Sequence, residues 1–481
     1  MTIAALILAT LPNIVVVIFD DWPSTEFGMF GGRQIVAPNV EALIAAGTVF
    51  PDCHAPDAVC RPSLASLLSG RTPAHNGVRN NVTNGGALLG TDDAIGQVMR
   101  DAGYSTFLAG KFWEYSGGGG NGIAESRAML YGFDGVEGVR RPSDLVREDQ
   151  ADTLAWVATV EEPFFLIWSP KLPHEPTGFG TDYSAVDPNK VPIPDTATDV
   201  AAVRAATVDF FANMAWLDAA LVELLAACPP NTIVITFSDN GHYYGRLGKG
   251  APFEAGLRSA ISITGPGIPA VVRPEYLPGV DISATVAGFG GAVIPASWDG
   301  RDWSAEIASG EPIADTGYGG ANWSASGYPG EAGQSLVAVY YRDRRYKYLR
   351  FVRAANQELR DIGVLAWVDR YVSVPTFPAG SEWLYDLDVD PFETTNIADA
   401  DPERLAEYRA ACRSWWLRHN PTICPADRTY DGVVDLADVA ATLSAYGVDA
   451  GGDVDGDGDT DLGDLSAVLG AFGDTCGWEI D

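Results

Sequence analysis

Residues 52–71 read D-C-H-A-P-D-A-V-C-R-P-S-L-A-S-L-L-S-G-R, a stretch that joins a cysteine to the start of a predicted helix. Three leucines follow Cys60 at the spacing of one helix face. Pro62 suits the first helical position, because its missing N–H would have no partner there. The sulfur of Cys60 would then lie at a helix N-terminus, where unpaired N–H groups and the helix dipole stabilise an anion. The residues alone allow two interpretations, a reactive thiol and a small buried cysteine that begins a core helix.

Two apolar segments outside this stretch each end in oxygen-bearing side chains. Residues 12–21 read P-N-I-V-V-V-I-F-D-D, and residues 231–241 read N-T-I-V-I-T-F-S-D-N-G. Such runs predict strands buried on both faces of a parallel sheet, and ligands bind beyond the carboxyl ends of these strands. Two adjacent strands would bring together three carboxylates and an amide, which are oxygen ligands suited to Ca²⁺ or Mg²⁺. These predicted metal ligands are Asp20, Asp21, Asp239 and Asn240.

The segment from Cys60 to Arg71 resembles the signature of the sulfatase family, C-x-P-S-R followed by a short apolar run and T-G-R. The matching positions are Cys60, Pro62, Ser63, Gly70 and Arg71. Leu64 stands where the family has Arg, a residue that the maturation machinery is thought to read. The resemblance implies that Cys60 is oxidised to formylglycine, whose hydrated aldehyde attacks a sulfate ester. Sulfatases also carry D-D after the first strand and D-N-G after a later one, which implies that the four oxygen ligands hold a divalent cation, usually calcium, with the modified Cys60 side chain as a further ligand.

The same resemblance implies three groups that contact the sulfate. Lys111 follows an A-G pair, Lys249 follows the D-N-G stretch, and His174 lies in a P-H-x-P-like loop. The two lysines would neutralise the sulfate, and His174 would hold it or protonate the leaving oxygen. Trp113 stands where the family usually has His, two residues after Lys111. Arg71 is either an anion ligand or an anchor for its helix.

The predicted fold class is α/β, with an alkaline-phosphatase-like, mostly parallel sheet flanked by helices. We assign the sulfatase-like catalytic domain to residues 12–335 and its C-terminal antiparallel subdomain to residues 336–420. Residues 336–352 alternate like a β-hairpin, and residues 382–398 resemble the family's L-Y-D-L-x-x-D-P-x-E-x-x-N stretch. Residues 1–11 are apolar and are either a signal remnant or an extra turn before the first strand.

Residues 421–481 form a separate acidic segment with an internal repeat. The segment has 14 Asp and Glu residues against one Arg. Residues 434–447 and 460–473 align at an offset of 26 and are identical at 7 of 14 positions. Each copy follows a loop with the ligand spacing of a calcium-binding loop at positions 1, 3, 5, 9 and 12. The predicted ligands are Asp427, Thr429, Asp431, Asp435 and Asp438 in the first loop and Asp453, Asp455, Asp457, Asp461 and Asp464 in the second.

This tandem arrangement, with Asp at position 12, resembles dockerin-type modules, small all-α units with EF-hand-like calcium loops. The resemblance implies that the segment binds two Ca²⁺ ions and folds with them. It also implies a cohesin-like or cell-surface partner.

Overall charge and cysteine content narrow the setting of the protein. The formal net charge of -33 argues against nucleic acid as a partner. We expect no membrane-spanning segment, because no run of residues outside 1–11 is both long enough and uncharged enough to span a bilayer. Cys424 and Cys476 bracket the acidic segment and could form a disulfide in an oxidising compartment. Together with the dockerin resemblance, this predicts export to the periplasm, the cell surface or the medium.

The predicted function is a calcium-dependent sulfuric ester hydrolase acting on a sulfated carbohydrate. Two alternatives stay open. If Leu64 prevents oxidation and Trp113 alters the sulfate pocket, the chain would be a non-catalytic binder of sulfated glycans. The other alternative is a phosphoesterase of the same superfamily that uses position 60 differently.

Overall fold

The computed structural model describes residues 11–22, 37–79, 81, 92–111, 129–137, 150–170, 172–173, 201–241, 248–315, 317–323, 336–352, 377–420, 423–448, 450–455 and 457–476. The chain forms two compact units. The first comprises residues 1–315, 322–335 and 355–376, and the second comprises residues 316–321, 336–354 and 377–481.

Strands and helices alternate through most of the first unit. The strands of the chain are β1 (Asn13–Phe19), β2 (Thr48–His54), β3 (Ser105–Gly110), β4 (Gly135–Glu137), β5 (Phe164–Ser169), β6 (Thr232–Ser238), β7 (Arg258–Thr264), β8 (Val271–Val272), β9 (Leu277–Pro278), β10 (Tyr318–Trp323), β11 (Leu336–Arg342), β12 (Tyr346–Phe351) and β13 (Glu382–Asp386). The helices are α1 (Pro38–Ala45), α2 (Cys60–Ser69), α3 (Pro73–Asn76), α4 (Ile95–Asp101), α5 (Ala151–Val157), α6 (Ala201–Ala227), α7 (Glu254–Leu257), α8 (Asp281–Phe289), α9 (Ser304–Ser309), α10 (Pro402–His419), α11 (Leu436–Ala445) and α12 (Leu462–Gly470).

A nine-stranded mixed sheet forms the centre of the first unit. Its order is β4–β3–β5–β1–β6–β7–β2–β8, with β9 paired to β2. The first five strands in this order, β4, β3, β5, β1 and β6, run parallel to one another. β7 pairs antiparallel with both β6 and β2. β1 and β6 are neighbours in register, so that Phe19 lies opposite Ser238. The carboxyl ends of the two predicted central strands therefore meet at one edge of the sheet.

The sheet has a hydrophobic core on each face, which explains the continuous apolar run of β1. Ile14, Val16 and Ile18 belong to one core, and the alternate residues of the same strand belong to the other. Successive side chains of a strand point to opposite faces, so in a strand that is covered on both sides every side chain is buried and apolar residues are favoured at each position. The mostly parallel sheet agrees with the predicted fold class.

Helix α6 packs against the second of these cores. By length and composition alone, its residues Thr207–Ala227 could cross a membrane. Many of its apolar side chains, among them Phe210, Leu217 and Leu221, are instead buried in the second core. The hydrophobicity of this helix is thus explained by packing within the first unit.

The second unit contains a four-stranded sheet with the order β10–β11–β12–β13. β11 and β12 form the predicted antiparallel hairpin, and β13 pairs antiparallel with β12. Helix α10 begins at Pro402, and the side chain of Asp401 caps it by accepting a hydrogen bond from the Arg404 N–H. Further along, α11 and α12 form a small pair of helices, and a disulfide joins Cys424 to Cys476 across the segment that contains them.

Candidate active site

The ends of β1 and β6 bring four predicted metal ligands into one buried cluster. The N–H of Asp21 donates to Asp239 Oδ1 over 3.2 Å, and Asn240 Nδ2 donates to Asp21 Oδ1 over 2.5 Å. Asp20 lies in the same group, because its carboxylate oxygen and one of Asp239 lie within 4.8 Å of each other. All four residues are at most 1% exposed.

A local turn explains how two consecutive residues can serve one site. In an extended strand Asp20 and Asp21 would point to opposite faces. Asp21 has a φ of 69°, in the left-handed region that residues other than glycine seldom adopt. The N–H of the next residue, Trp22, donates to Ser238 Oγ over 2.9 Å and holds this turn against β6. Both carboxylates therefore join the same cluster.

Cys60 lies beside this cluster at the N-terminus of α2. Its sulfur is within 4.8 Å of carboxylate oxygens of Asp20 and Asp239, and the residue is 7% exposed. The helix begins at Cys60 itself, so the prediction that Pro62 takes the first helical position is wrong. Pro62 is the third helical residue, and this position tolerates proline because the first four N–H groups of a helix have no partner within it.

Two lysines compensate the buried carboxylates. Lys111, at the end of β3, lies 2.7 Å from one oxygen of Asp20 and 2.8 Å from the other, and 3.6 Å from Asp239. Lys249 Nζ lies 2.5 Å from Asp21 Oδ1. Burial alone would lower the pKa of each ammonium group, but the neighbouring carboxylates outweigh it and hold both pKa values above the ordinary value for lysine.

Burial and neighbouring charge also act on the carboxylates. Desolvation raises the pKa of Asp239, and the charge of Asp20 raises it further, while Lys111 opposes the shift. Two buried oxygens of the cluster, Asp239 Oδ2 and Asn240 Oδ1, accept no hydrogen bond from the residues that the structure describes. Carboxylate and amide oxygens of this kind are the preferred ligands of Ca²⁺ and Mg²⁺. The residues present therefore fit a divalent cation.

Other predicted residues fall outside this cluster or outside the described residues. His174 and Trp113 lie outside the described parts of the chain. Arg71 is an anchor, because its guanidinium donates to Asp93 Oδ2 over 2.6 Å and to a backbone carbonyl of residue 297 over 3.0 Å. Leu64 is 3% exposed and packs in the first hydrophobic core.

One residue near Cys60 carries no signal in the sequence. Asn81 Nδ2 lies 3.5 Å from the Cys60 sulfur, and Asn81 Oδ1 accepts the Arg61 N–H over 3.0 Å. The contact joins positions 21 residues apart. No periodic pattern or short motif connects these positions, so only the folded chain shows it.

The acidic C-terminal loops show the same backbone geometry twice. Asp427 Oδ2 accepts the N–H of Gly432 over 2.8 Å, and Asp453 Oδ2 accepts the N–H of Gly458 over 3.0 Å. Both glycines, at loop position 6, have positive φ values of 89° and 100°, which permits the sharp turn of the loop. The equivalent bonds confirm that the sequence repeat is also a structural repeat.

The last carboxylate of each loop is held at the start of the following helix. Asp435 caps α11 and Asp461 caps α12, each in a reciprocal arrangement with the carboxylate three residues later. In the second loop, three predicted ligands have carboxylate oxygens within 4.8 Å of one another: Asp453, Asp455 and Asp464. Backbone N–H groups donate hydrogen bonds to Asp464 and hold its pKa below its usual range, and the N–H of Val454 has the largest effect.

Comparisons with known proteins agree on one family. The family described as Sulfatase matches residues 12–292. Human arylsulfatase A is 25% identical over 456 residues, which cover 84% of this chain and 87% of that protein. The ulvan-active sulfatase of Formosa agariphila is 24% identical over 410 residues, which cover 80% of this chain and 76% of that protein. Among solved structures, a 2-O GAG sulfatase matches with a TM-score of 0.63 and 19% identity, covering 85% of this chain and 92% of that one.

Proposed function

Because this chain belongs to the sulfatase family and is a sulfuric ester hydrolase of alkaline-phosphatase-like fold, we propose that it removes sulfate from a sulfated carbohydrate. The observation that carries the proposal is the single buried cluster of Cys60, the strand-end carboxylates and two lysines. A strongly acidic protein needs such local positive charge to bind an anionic ester. The ulvan-active and 2-O GAG sulfatases are named for polysaccharide substrates, which supports a carbohydrate here.

Position 60 is the nucleophile in this proposal. Oxidised to formylglycine, it would supply a hydrated aldehyde, one hydroxyl of which would attack sulfur as the sulfur–oxygen bond to the carbohydrate breaks. The second hydroxyl would then lose its proton, so that sulfate is expelled and the aldehyde is restored. The N–H groups and dipole of α2 favour negative charge at this position. Cys60 is nearly buried, so the fold excludes most water from the reacting atoms.

The strand-end residues would hold a divalent cation, for which we propose Ca²⁺. The ligands would be Asp20, Asp21, Asp239 and Asn240, with residue 60 as a further ligand. When bound, the cation would supply positive charge to the sulfate oxygens. It would also compensate the carboxylates that Lys111 and Lys249 now contact, which makes both ammonium groups available to the sulfate. His174 would hold the sulfate or donate a proton to the leaving oxygen.

The test combines mass spectrometry with turnover. The peptide that contains position 60, from protein purified out of its native host, should have the mass of formylglycine, bare or hydrated. The same preparation should hydrolyse an aryl sulfate and release sulfate from sulfated oligosaccharides. A thiol at position 60 with no turnover would contradict the proposal, and turnover of an aryl phosphate alone would select the phosphoesterase.

One observation favours a second candidate, a non-catalytic binder of sulfated glycans. Leu64 is buried in the first core, so the position where the family has Arg carries an apolar side chain. If maturation requires that Arg, position 60 stays a cysteine, and the lysines would still attract sulfate. Binding of a sulfated oligosaccharide without hydrolysis, by protein with an unmodified Cys60, would establish this function.

For residues 421–481 we propose a dockerin-like module that binds two Ca²⁺ ions. The ligands would be the five oxygen-bearing side chains of each loop. The repeated bond from loop position 6 to loop position 1 and the repeated helix caps support this assignment. In the absence of cation the acidic side chains of each loop repel one another, so the ions would stabilise the loops.

Exposed apolar side chains of this module offer a surface for a protein partner, which we propose to be cohesin-like or part of the cell surface. Three pairs of apolar side chains are exposed, and the members of each pair are related by the 26-residue repeat. They are Leu436 and Leu462, Leu443 and Leu469, and Tyr446 and Phe472. Repeated exposed apolar positions favour docking over a purely structural role. The disulfide between Cys424 and Cys476 supports export, because such bonds persist in oxidising compartments.

A further inference from the structure

Asn81 contacts the nucleophilic position from a segment outside α2. Its Nδ2 lies 3.5 Å and its Oδ1 3.7 Å from the sulfur of Cys60. The same Oδ1 accepts the N–H of Arg61 over 3.0 Å. An amide oxygen accepts and an amide nitrogen donates, so the bond to Arg61 fixes which end of the side chain faces the sulfur. Nδ2, the nearer of the two atoms, therefore donates to the sulfur, and Oδ1 can also accept from the Cys60 thiol.

We propose that Asn81 is a positioning residue that holds the side chain of residue 60 for attack while it caps α2. This inference rests on the proposed function of position 60. The N–H of Arg61 is one of the first four of the helix, which have no partner within it, and Asn81 Oδ1 satisfies it. The Nδ2 donor then restricts rotation of the neighbouring side chain. An oxygen that replaces the sulfur on the same β-carbon would accept the same hydrogen bond.

Two other groups near residue 60 that the structure describes do not make this contact. Leu64 lies one helical turn beyond Cys60 and packs in the hydrophobic core, so it offers no polar atom. Lys111 and Lys249 are bound to the strand-end carboxylates. Asn81 is itself exposed, so filling the core does not explain its position. Among the residues that the structure describes, its hydrogen bonds are to residues 60 and 61.

Two substitutions separate the cap from the donor. Asn81→Asp keeps an oxygen for the Arg61 N–H but lacks the N–H that faces residue 60, whereas Asn81→Ala lacks both. We expect kcat, corrected for the formylglycine content of each preparation, to fall about 10- to 100-fold in both variants, the range expected for one directed hydrogen bond. KM should stay unchanged in Asn81→Ala. The melting temperature should fall in Asn81→Ala and stay near that of the wild type in Asn81→Asp.

Gln97→Ala is the matched control, because Gln97 is a side-chain amide whose bond to Asp101 stays within α4. Its kcat should equal that of the wild type. Unchanged kcat in both Asn81 variants would overturn the inference. So would a loss of kcat only in proportion to lost thermal stability.

A crystallographic readout keeps the inference testable if the wild type proves to be inactive. In protein whose position 60 is still cysteine, the wild type should show one Cys60 rotamer against the Asn81 amide. Asn81→Ala should show a different rotamer or several. An unchanged single rotamer would overturn the positioning role, whatever the turnover assay reports. Absence of formylglycine and of turnover in the wild type, with the rotamer change present, would instead contradict only the proposed function.

Discussion

The two acidic regions of this protein balance their charge in opposite ways. At the strand ends, Lys111 and Lys249 lie within 2.8 Å of the carboxylates of Asp20 and Asp21. In the C-terminal loops, carboxylates such as Asp464 accept backbone N–H groups instead. Buried carboxylates are costly unless they are paired. The difference suggests that the strand-end cluster can fold without a cation, whereas the loops depend on one.

The largest expected effect is on the lysines of the strand-end cluster. Lys249→Met should lower kcat/KM about 100- to 1000-fold, because it removes a fixed cation from the site of sulfuryl transfer. Lys347→Met is the matched control, since Lys347 is also a buried lysine and pairs with Glu393 over 2.9 Å in the second unit. For that control, steady-state kinetics on an aryl sulfate should give a normal kcat. A thermal melt should give a lower melting temperature. Equal loss of kcat in both variants would mean that Lys249 acts only through stability.

Removal of calcium should separate the two regions by stability. Before chelation, the free Ca²⁺ concentration is set to 100 times the dissociation constant of each site. Chelation should then lower the free energy of unfolding of the C-terminal module by about 2.7 kcal/mol per site. The first unit should keep its own transition, because its lysines already compensate its carboxylates. Differential scanning calorimetry with and without chelator measures both. Asp453→Ala should halve the shift, and a chelator-independent transition would contradict the module assignment.

Two carboxylates, one from each region, should contribute to the pH dependence of stability in chelated protein with opposite signs. The pKa of Asp239 is raised by burial, so its contribution to stability is present below the ordinary pKa of Asp and is lost as pH rises through the higher folded value. The pKa of Asp464 is lowered by backbone N–H groups, so its contribution is present above the ordinary pKa and is lost as pH falls through the lower folded value. Thermal melts of Asp239→Asn and Asp464→Asn against pH should each remove one of these trends. If either variant shows the same change of melting temperature with pH as the wild type, that residue is not the source of its assigned trend.

The smallest effect concerns the exposed apolar side chains of the C-terminal module. Leu436→Ser should change the stability of the calcium-bound module by less than about 0.5 kcal/mol, because the side chain is exposed. The same substitution combined with Leu462→Ser should weaken binding to a cohesin-like partner. Calorimetric titration and a thermal melt distinguish the two effects. A large loss of stability would show that these leucines pack within the module.

Local patterns predicted the strand-end cluster well. The apolar runs before Asp20 and Asp239 identify buried parallel strands, and parallel strands end at the same edge of a sheet. The start of α2 was predicted two residues late, because proline is tolerated throughout the first turn. The contact of Asn81 with Cys60 and the anchoring of Arg71 depend on segments brought together only by tertiary packing. No local periodicity encodes such contacts.

The pairing of β1 with β6 also has a kinetic consequence. The contacts that complete the cluster join residues far apart in the chain: Asp21 to Asp239 spans 218 positions, and Asp21 to Lys249 spans 228. Contacts of such high sequence separation require large loops to close and are slow to form. After dilution from denaturant, helical signal should return well before catalytic activity. Recovery of activity therefore reports completion of the whole central sheet, and an early intermediate would contain α2 without a working site.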